Sequence, residues 1–207
     1  MTSLSMALVG VLLVPLFVGT WRASLLGLAF QGALLAWIAV RLGTDTSSID
    51  GLATLLDLAL VRGLVAPLLL ARVLRARGVP PRNEVIPPNL LSWTLALGLV
   101  LLAFRFAGAL VPAGGPTKTL VAVAASALML GLLVLATRGG TLSQIVGVLR
   151  VENAIALFEL ATRAHVPTVF AVGERLVVLA TVLFYRWYLA ALVSPREAPT
   201  TAEGPTL

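Results

Sequence analysis

Residues 119–137 read TLVAVAASALMLGLLVLAT, a stretch of nineteen residues in which no side chain carries a charge. A helix needs about 20 predominantly apolar residues to cross the roughly 30 Å hydrocarbon core of a bilayer. The stretch is long and apolar enough for one such crossing. On both sides of it the chain repeats the same pattern, with short breaks that contain proline, glycine or polar residues.

Seven segments of this kind predict an all-α, polytopic integral membrane protein with about seven transmembrane helices. Residues 194–207 are polar and contain several prolines, which predicts a disordered tail. The first basic residue is Arg22, so the first segment lacks the positive region of a signal peptide, and we expect a retained helix. The predicted spans are residues 4–20, 23–40, 52–74, 90–111, 119–137, 142–162 and 166–189.

The composition excludes several classes of protein. Of the 207 residues 59% are apolar and only 12% are charged, whereas a soluble domain carries about 25% charged residues. Cysteine is absent, which excludes iron–sulfur clusters, thiolate zinc sites and c-type haem. The single histidine, His165, cannot supply the usual two axial ligands of a b-type haem. We therefore expect no cofactor and no metal in this chain.

The basic residues outside the spans predict the orientation, because cytoplasmic loops carry an excess of Lys and Arg. Eight lie on one side and three on the other, so we expect the eight-residue side to be cytoplasmic and the N-terminus to be outside. The net charge of +6 is then a signal of topology and of a basic face toward anionic lipid or a soluble partner, not of nucleic-acid binding. The eight are Arg22, Arg72, Arg75, Arg77, Arg82, Arg138, Arg186 and Arg196, and the three are Arg41, Lys118 and Arg163.

Eight further ionisable residues lie inside the apolar segments. A charge at the centre of a membrane helix costs at least about 2.5–3.5 kcal/mol on insertion scales, so such residues are expected to face protein or water and to mark an ion pathway. Their charges sum to zero. The candidate site residues are Asp57, Arg62, Arg105, Arg150, Glu152, Glu159, Glu174 and Arg175.

Spacing places Glu152 and Glu159 on one face of the sixth span, and Arg150 on another face together with Asn153. Two interpretations stay open. The carboxylates form a proton relay tuned by arginines, which keep their charge. Alternatively, Glu152 forms an ion pair with Arg62 or Arg175 that only fixes the packing of helices.

Two of the eight residues have simpler interpretations. Asp57 lies one turn into the third span and is compatible with an interfacial position. Arg105 lies within about two turns of the end of the fourth span, from which a long side chain can reach the interface.

The stretch Gln144-Ile-Val-Gly-Val-Leu-Arg-Val-Glu-Asn153 resembles the hydrogenase-4 component E family, within a similarity that covers roughly residues 50–190 and is strongest over 117–170. Residues 61–67 are similar to the family's helix that has a basic residue five positions before a proline, here Arg62 and Pro67. The resemblance divides the chain into a four-helix region, 1–116, and a three-helix region, 117–193. The latter is similar to the small subunits of complex I and of multisubunit sodium/proton antiporters.

The resemblance implies a non-catalytic membrane-arm subunit of a complex I-like or group 4 [NiFe]-hydrogenase-like assembly in a bacterial or archaeal cell membrane. Its implied partners are antiporter-like membrane subunits, a hydrogenase-like membrane anchor subunit and a soluble arm that holds the metals. By the match in this motif, the resemblance assigns Glu152 to the buried charged axis that couples electron transfer to translocation of H⁺ or Na⁺. It assigns Arg62 to the basic position on the third span.

The sequence departs from the family at several positions. The family has lysine at position 62, glycine at 154, and acidic residues at the positions of Ala171 and Val177, between which this chain has Glu174. The alternatives are a self-contained transporter, for which we find no internal repeat, and a purely structural assembly subunit. The run Asp45 to Gly51 lacks the Ala-Arg that a CDP-alcohol phosphotransferase motif requires.

Overall fold

The computed structural model describes residues 2–17, 20–77, 83–84, 90–112 and 114–162, together with the separate positions 173, 176–177, 179–180, 183–184 and 187. The predictions for the seventh span, for Glu174 and Arg175, and for the tail at 194–207 lie wholly or mostly outside the described residues.

The described chain is helical, which confirms the predicted all-α class, and helices cover all six of the predicted spans up to residue 162. Four helices are long and apolar enough to cross a membrane, namely Trp21–Arg41, Ile49–Arg75, Leu90–Leu110 and Gly115–Thr137. The elements are α1 (Thr2–Phe17), α2 (Trp21–Arg41), α3 (Ile49–Leu56), a π-helical segment (Asp57–Val65), α4 (Ala66–Arg77), α5 (Leu90–Leu110), α6 (Gly115–Thr137) and α7 (Thr141–Thr162).

A two-residue antiparallel bridge joins two of the connections. Strand β1 (Asn83–Glu84) pairs with β2 (Arg138–Gly139), with Asn83 opposite Gly139. The bridge brings the loop after α4 to the same end of the molecule as the turn between α6 and α7. The count of basic residues in the sequence predicts that these two connections lie on the same side of the membrane.

Two helices organise the packing. α6 packs against α5, α7 and α1, and α2 packs against α1, the π segment, α4 and α7. The run from Leu120 to Ala127 in α6 is buried throughout and consists mostly of alanine and valine. Small side chains allow membrane helices to approach closely on several sides, and this explains why α6 can serve as a central helix.

The loop before α3 is a closed polar turn. Asp45 Oδ1 accepts hydrogen bonds from Ser47 N at 2.9 Å and Ser47 Oγ at 2.6 Å. These bonds favour the carboxylate and hold the pKa of Asp45 below its ordinary value. Ser48 then caps α3 by accepting from Gly51 N at 3.1 Å. The turn fixes where the chain enters α3 and therefore where the π segment begins.

The backbones of α2 and the π segment approach each other closely where the two cross. A Cβ atom built on Gly32 would clash with the Cα and N atoms of Gly63 and with the carbonyl carbon of Arg62. Only glycine at position 32 permits this distance between the two helices. A Cβ on Gly63 would be 3.3 Å from Leu58 O and 3.4 Å from Ala33 N, which is a tight contact but not a clash.

We predict that Gly32→Ala lowers the free energy of unfolding by about 1–3 kcal/mol, because one added methyl group forces the two backbones apart. Gly63→Ala should have a smaller effect. The measurement is the thermal unfolding midpoint of the purified protein in a mild detergent.

The matched control is Gly98→Ala, because Gly98 lies in the middle of α5 and a Cβ there meets no atom within 4 Å. Alanine has the higher helix propensity, so this variant should unfold at the same temperature as the wild type or slightly above it. Equal destabilisation by the Gly32 and Gly98 variants would contradict the close crossing.

Candidate functional site

Polar side chains from three elements meet halfway along the helices. Gln31 is ten residues into α2 and Arg150 nine residues into α7, which corresponds to about 15 Å and about 14 Å along the respective axes. Both positions are therefore close to the middle of their helices, which have 21 and 22 residues. We call this group the buried polar cluster. Its members are Gln31, Asp57, Arg62, Arg150 and Asn153, which are buried, and Glu152, which is half-buried.

The buried polar cluster separates two apolar cores. On α7, one core contains Leu142, Ile145, Val146 and Leu149, and the other begins at Ala154. The same division recurs on α2 and along the α3–π–α4 rod, where Leu58 belongs to one core and Ala66 to the other. The polar residues therefore form a layer between two apolar layers, which is where water from the ends of the molecule is least accessible.

The π segment creates the ion pair at one side of the cluster. Arg62 Nε donates to Asp57 Oδ2 at 2.8 Å, and both side chains are buried. Residues five apart in an α-helix point about 140° away from each other, since five residues turn the helix through about 500°. Hydrogen bonds from i to i+5 widen the turn of a π-helix and bring residue i+5 close to residue i. The wider turn allows Asp57 and Arg62 to pair within one segment.

The other side of the cluster is a bond between buried amides. Asn153 Nδ2 on α7 donates to Gln31 Oε1 on α2 at 3.3 Å. The Gln31 side chain is 1% exposed, and its Nε2 has no hydrogen-bond partner among the described residues. Arg150 lies one helical turn before Asn153, on the same face of α7, and is also 1% exposed.

A small cavity opens between the ion pair and α7. Arg62, Glu152 and Asn153 line it together with the apolar residues Leu28, Ala66 and Leu149. The empty space amounts to about 250 Å³ including the open mouth, and the enclosed part has room for about one water molecule. A guanidinium, a carboxylate and an amide offer such a water both donors and acceptors. The enclosed space beside Arg62, Glu152 and Asn153 is therefore no larger than about one water molecule.

The structure brings together four of the predicted site residues, Asp57, Arg62, Arg150 and Glu152. Asp57 is buried rather than interfacial, and the ion-pair partner that the structure gives to Arg62 is Asp57. Glu159 is half-buried and lies two turns beyond Glu152 on the same helix.

Other predicted residues stand apart from this group. Arg105 lies on α5 with an exposed side chain, outside the cluster. Glu174 and Arg175 lie outside the described residues.

Sequence reasoning missed Gln31 and the π segment. Gln31 is the one amide in an otherwise apolar predicted span, and an amide transferred to hydrocarbon without a partner is costly, so its position was an available signal. No residue pattern in 57–65 distinguishes a π-helix from an α-helix, because the run Asp57-Leu-Ala-Leu-Val-Arg-Gly-Leu-Val is compatible with both.

Comparison with known proteins gives one informative match. The chain is 32% identical over 169 residues to the uncharacterized protein Rv0085 of Mycobacterium tuberculosis (strain ATCC 25618 / H37Rv). The match covers 79% of this chain and 77% of the relative. The chain belongs to the Rv0085 family. No family model and no solved structure matches the chain. Because Rv0085 is itself uncharacterized, membership of its family assigns no reaction, and the chemistry has to be argued from the buried polar cluster.

We predict that the single substitutions Asp57→Asn and Arg62→Gln each destabilise the protein by about 3–5 kcal/mol, since each leaves one buried charge without its counterion. The double variant should be clearly more stable than the sum of the two single effects predicts. Unfolding in detergent, followed for the four proteins of the double-mutant cycle, measures the coupling.

Asp50→Asn serves as the control, because Asp50 is an exposed carboxylate in the first turn of α3. It should change stability by less than about 0.5 kcal/mol. Strict additivity of the Asp57 and Arg62 effects would show that the two side chains do not pair.

Proposed function

We propose that this chain is an accessory membrane subunit of a complex I-like or group 4 [NiFe]-hydrogenase-like respiratory complex. The observation that carries the proposal is the buried polar cluster, which sets Asp57, Arg62, Arg150 and Glu152 at mid-height between α2, the π segment and α7. In this role the cluster contributes to the charged axis through which electron transfer in a soluble arm drives translocation of H⁺ or Na⁺.

The energetics of the cluster support a functional origin. Each ionisable side chain at mid-membrane carries an insertion cost of about 2.5–3.5 kcal/mol, and hydrophobic residues of similar size would carry none. Replacement of a buried ion pair by apolar residues is often neutral or stabilising, so packing alone does not require these charges. A polar layer retained between two apolar cores fits a site that handles charge.

The residues have different abilities within this proposal. Glu152 lines the cavity and is the group able to take up and release a proton, with a water molecule as the intermediary. Arg62 and Arg150 keep their charge at any physiological pH and therefore act as fixed positive charges near the carboxylates. At the position where the resembling family has lysine, this chain has Arg62. Arg62 forms an ion pair with Asp57 and does not itself exchange protons.

The proposal includes the finer topology. The chain crosses a bacterial or archaeal cell membrane seven times, with the N-terminus outside and the C-terminus in the cytoplasm. The end of the molecule that carries Arg22, Arg72 and Arg75, all with exposed side chains, then faces the cytoplasmic soluble arm. Antiporter-like subunits and a hydrogenase-like anchor subunit are the membrane neighbours.

A second candidate role, a purely structural assembly subunit, is favoured by one observation. The Asp57–Arg62 ion pair stabilises the π segment and the Gln31–Asn153 bond joins α2 to α7, and neither needs to move charge. A self-contained transporter is the remaining alternative, and it requires no partner subunits. The following experiment separates the three roles.

We predict that Glu152→Gln reduces coupled ion translocation in inverted membrane vesicles to less than about a tenth of the wild-type rate, because the amide cannot carry the proton. The complex purified in a mild detergent should keep its subunit composition. Uptake is followed with a pH-sensitive dye, or with ²²Na⁺ for sodium, after addition of the electron donor identified from the co-purifying soluble subunits.

Asp50→Asn, the same carboxylate-to-amide change at an exposed site, should leave translocation and assembly intact. Loss of partner subunits from the Glu152→Gln complex would support the structural role instead. Purification of the wild type alone as a stable monomer would refute membership of a complex and favour the transporter.

The orientation gives a further prediction, for which the absence of natural cysteine is an advantage. A single cysteine at Ser47→Cys, in the loop before α3, should react with a membrane-impermeant maleimide added to intact cells. Arg75→Cys, near the opposite end of the helices, should react only after the membrane is opened. The reverse pattern would show that the N-terminus is cytoplasmic.

A further inference from the structure

The hairpin formed by α5 and α6 carries two positive charges and no negative one. Between Leu90 and Thr137 the ionisable residues are Arg105 and Lys118. Arg105 is five residues before the end of α5, about 7.5 Å along the axis, and Lys118 is in the first turn of α6. Both cations therefore lie toward the same end of the hairpin.

The structure places the two cations on the same part of α5. Lys118 Nζ and Cε lie 3.5 Å and 3.6 Å from the position that a Cβ atom on Gly108 would take. The lysine side chain thus lies over the bare backbone of α5 at Gly108. Residues three apart on a helix are neighbours, with Cβ atoms about 5–6 Å apart, so the ammonium lies about one helical turn from the base of Arg105.

No acidic side chain of the described structure compensates these charges. Within the part of the chain that the structure describes, neither Arg105 nor Lys118 has an ion pair or a hydrogen bond with another residue. The acids toward this end of the molecule, Asp45, Asp50 and Glu159, belong to the loop before α3, to α3 and to α7. Both cations are therefore available to an external anion.

The surface around the cations is apolar. Leu101, Leu102, Phe106 and Leu110 of α5 are each between 48% and 60% exposed. They continue the outward face of a helix that is apolar and long enough to span a bilayer, and they end at the level of the two charges. This arrangement matches an amphiphile whose acyl chains lie along α5 and whose anionic head lies at the helix end.

We propose that Arg105 and Lys118 form a binding site for the phosphate of an anionic phospholipid. Arg105 extends from α5 toward the interface and donates two parallel hydrogen bonds to the phosphate oxygens, a geometry that suits a guanidinium. Lys118 adds a compact positive charge from α6. The site shares no residue with the buried polar cluster. It requires only that the hairpin of α5 and α6 lies in a bilayer.

The test measures lipid binding to the delipidated protein in a neutral detergent by native mass spectrometry. Dioleoyl-phosphatidylglycerol is the probe and dioleoyl-phosphatidylcholine the zwitterionic comparison. We expect one phosphatidylglycerol molecule to bind at least tenfold more tightly than phosphatidylcholine. Arg105→Gln and Lys118→Gln should each weaken phosphatidylglycerol binding by about tenfold, because a hydrogen bond to a charged group contributes about a tenfold change in affinity.

Two variants serve as controls. Arg41→Gln removes the same kind of charge from an exposed position at the end of α2 and should leave phosphatidylglycerol binding unchanged. The charge-preserving Arg105→Lys should retain most of the preference for the anionic lipid. Because Arg105 and Arg41 are exposed, we expect the variants at these two positions to unfold at the wild-type temperature.

Three outcomes would overturn the proposal. Equal binding of the two lipids would show that the acyl chains alone determine the affinity. An equal loss of phosphatidylglycerol binding in Arg41→Gln would show a general effect of net charge. Displacement of the lipid by inorganic phosphate at the same concentration would show a simple anion site to which the apolar face of α5 contributes nothing.

Discussion

A charged or amide side chain in the middle of a bilayer has no bulk water to bind and must find its partners within the protein. Five buried polar residues between α2, the π segment and α7 come under the same constraint inside this protein, namely Gln31, Asp57, Arg62, Arg150 and Asn153. Asp57 meets it by pairing with Arg62, and Gln31 by accepting from Asn153. The rotation of α2 relative to α7 follows from the bond between Gln31 and Asn153, because turning either helix would expose a polar group to an apolar core.

The close contact of Gly32 with Gly63 and the π-helical turn depend on each other. Gly63 lies inside the π segment, directly after Arg62, and the absence of a side chain at Gly32 lets α2 approach that point. A wider separation would draw Leu28, which lines the cavity from α2, away from Arg62. Small residues thus determine the distance between the helices, and the wider helical turn determines which side chains fill the resulting space. At this crossing, the packing of the helices therefore also determines which polar groups lie together.

The two groups of charge in the molecule differ in their surroundings. Those of the buried polar cluster, two acids and two arginines, sum to zero and lie between two apolar cores, where water is least accessible and where mutual attraction is strong. Arg105 and Lys118 form an unbalanced pair at the edge of an exposed apolar face. The first arrangement suits transfer of charge within the protein, and the second suits attraction of an anion from the surroundings.

The sequence alone determined the helical class, helices over the six predicted spans up to residue 162, and burial of Arg62 and Arg150, because the length and hydropathy of a segment are properties of the chain itself. It did not determine the pairing. Glu152 was expected to pair with Arg62 or Arg175 if the charges were structural, and Asp57 was compatible with an interfacial position, yet Arg62 pairs with Asp57. The π-helical turn, the crossing at Gly32 and the bond from Asn153 to Gln31 were decided only in the tertiary structure. Their physical reason is that partners across helices depend on relative rotation, depth and distance, which short-range periodicity does not specify.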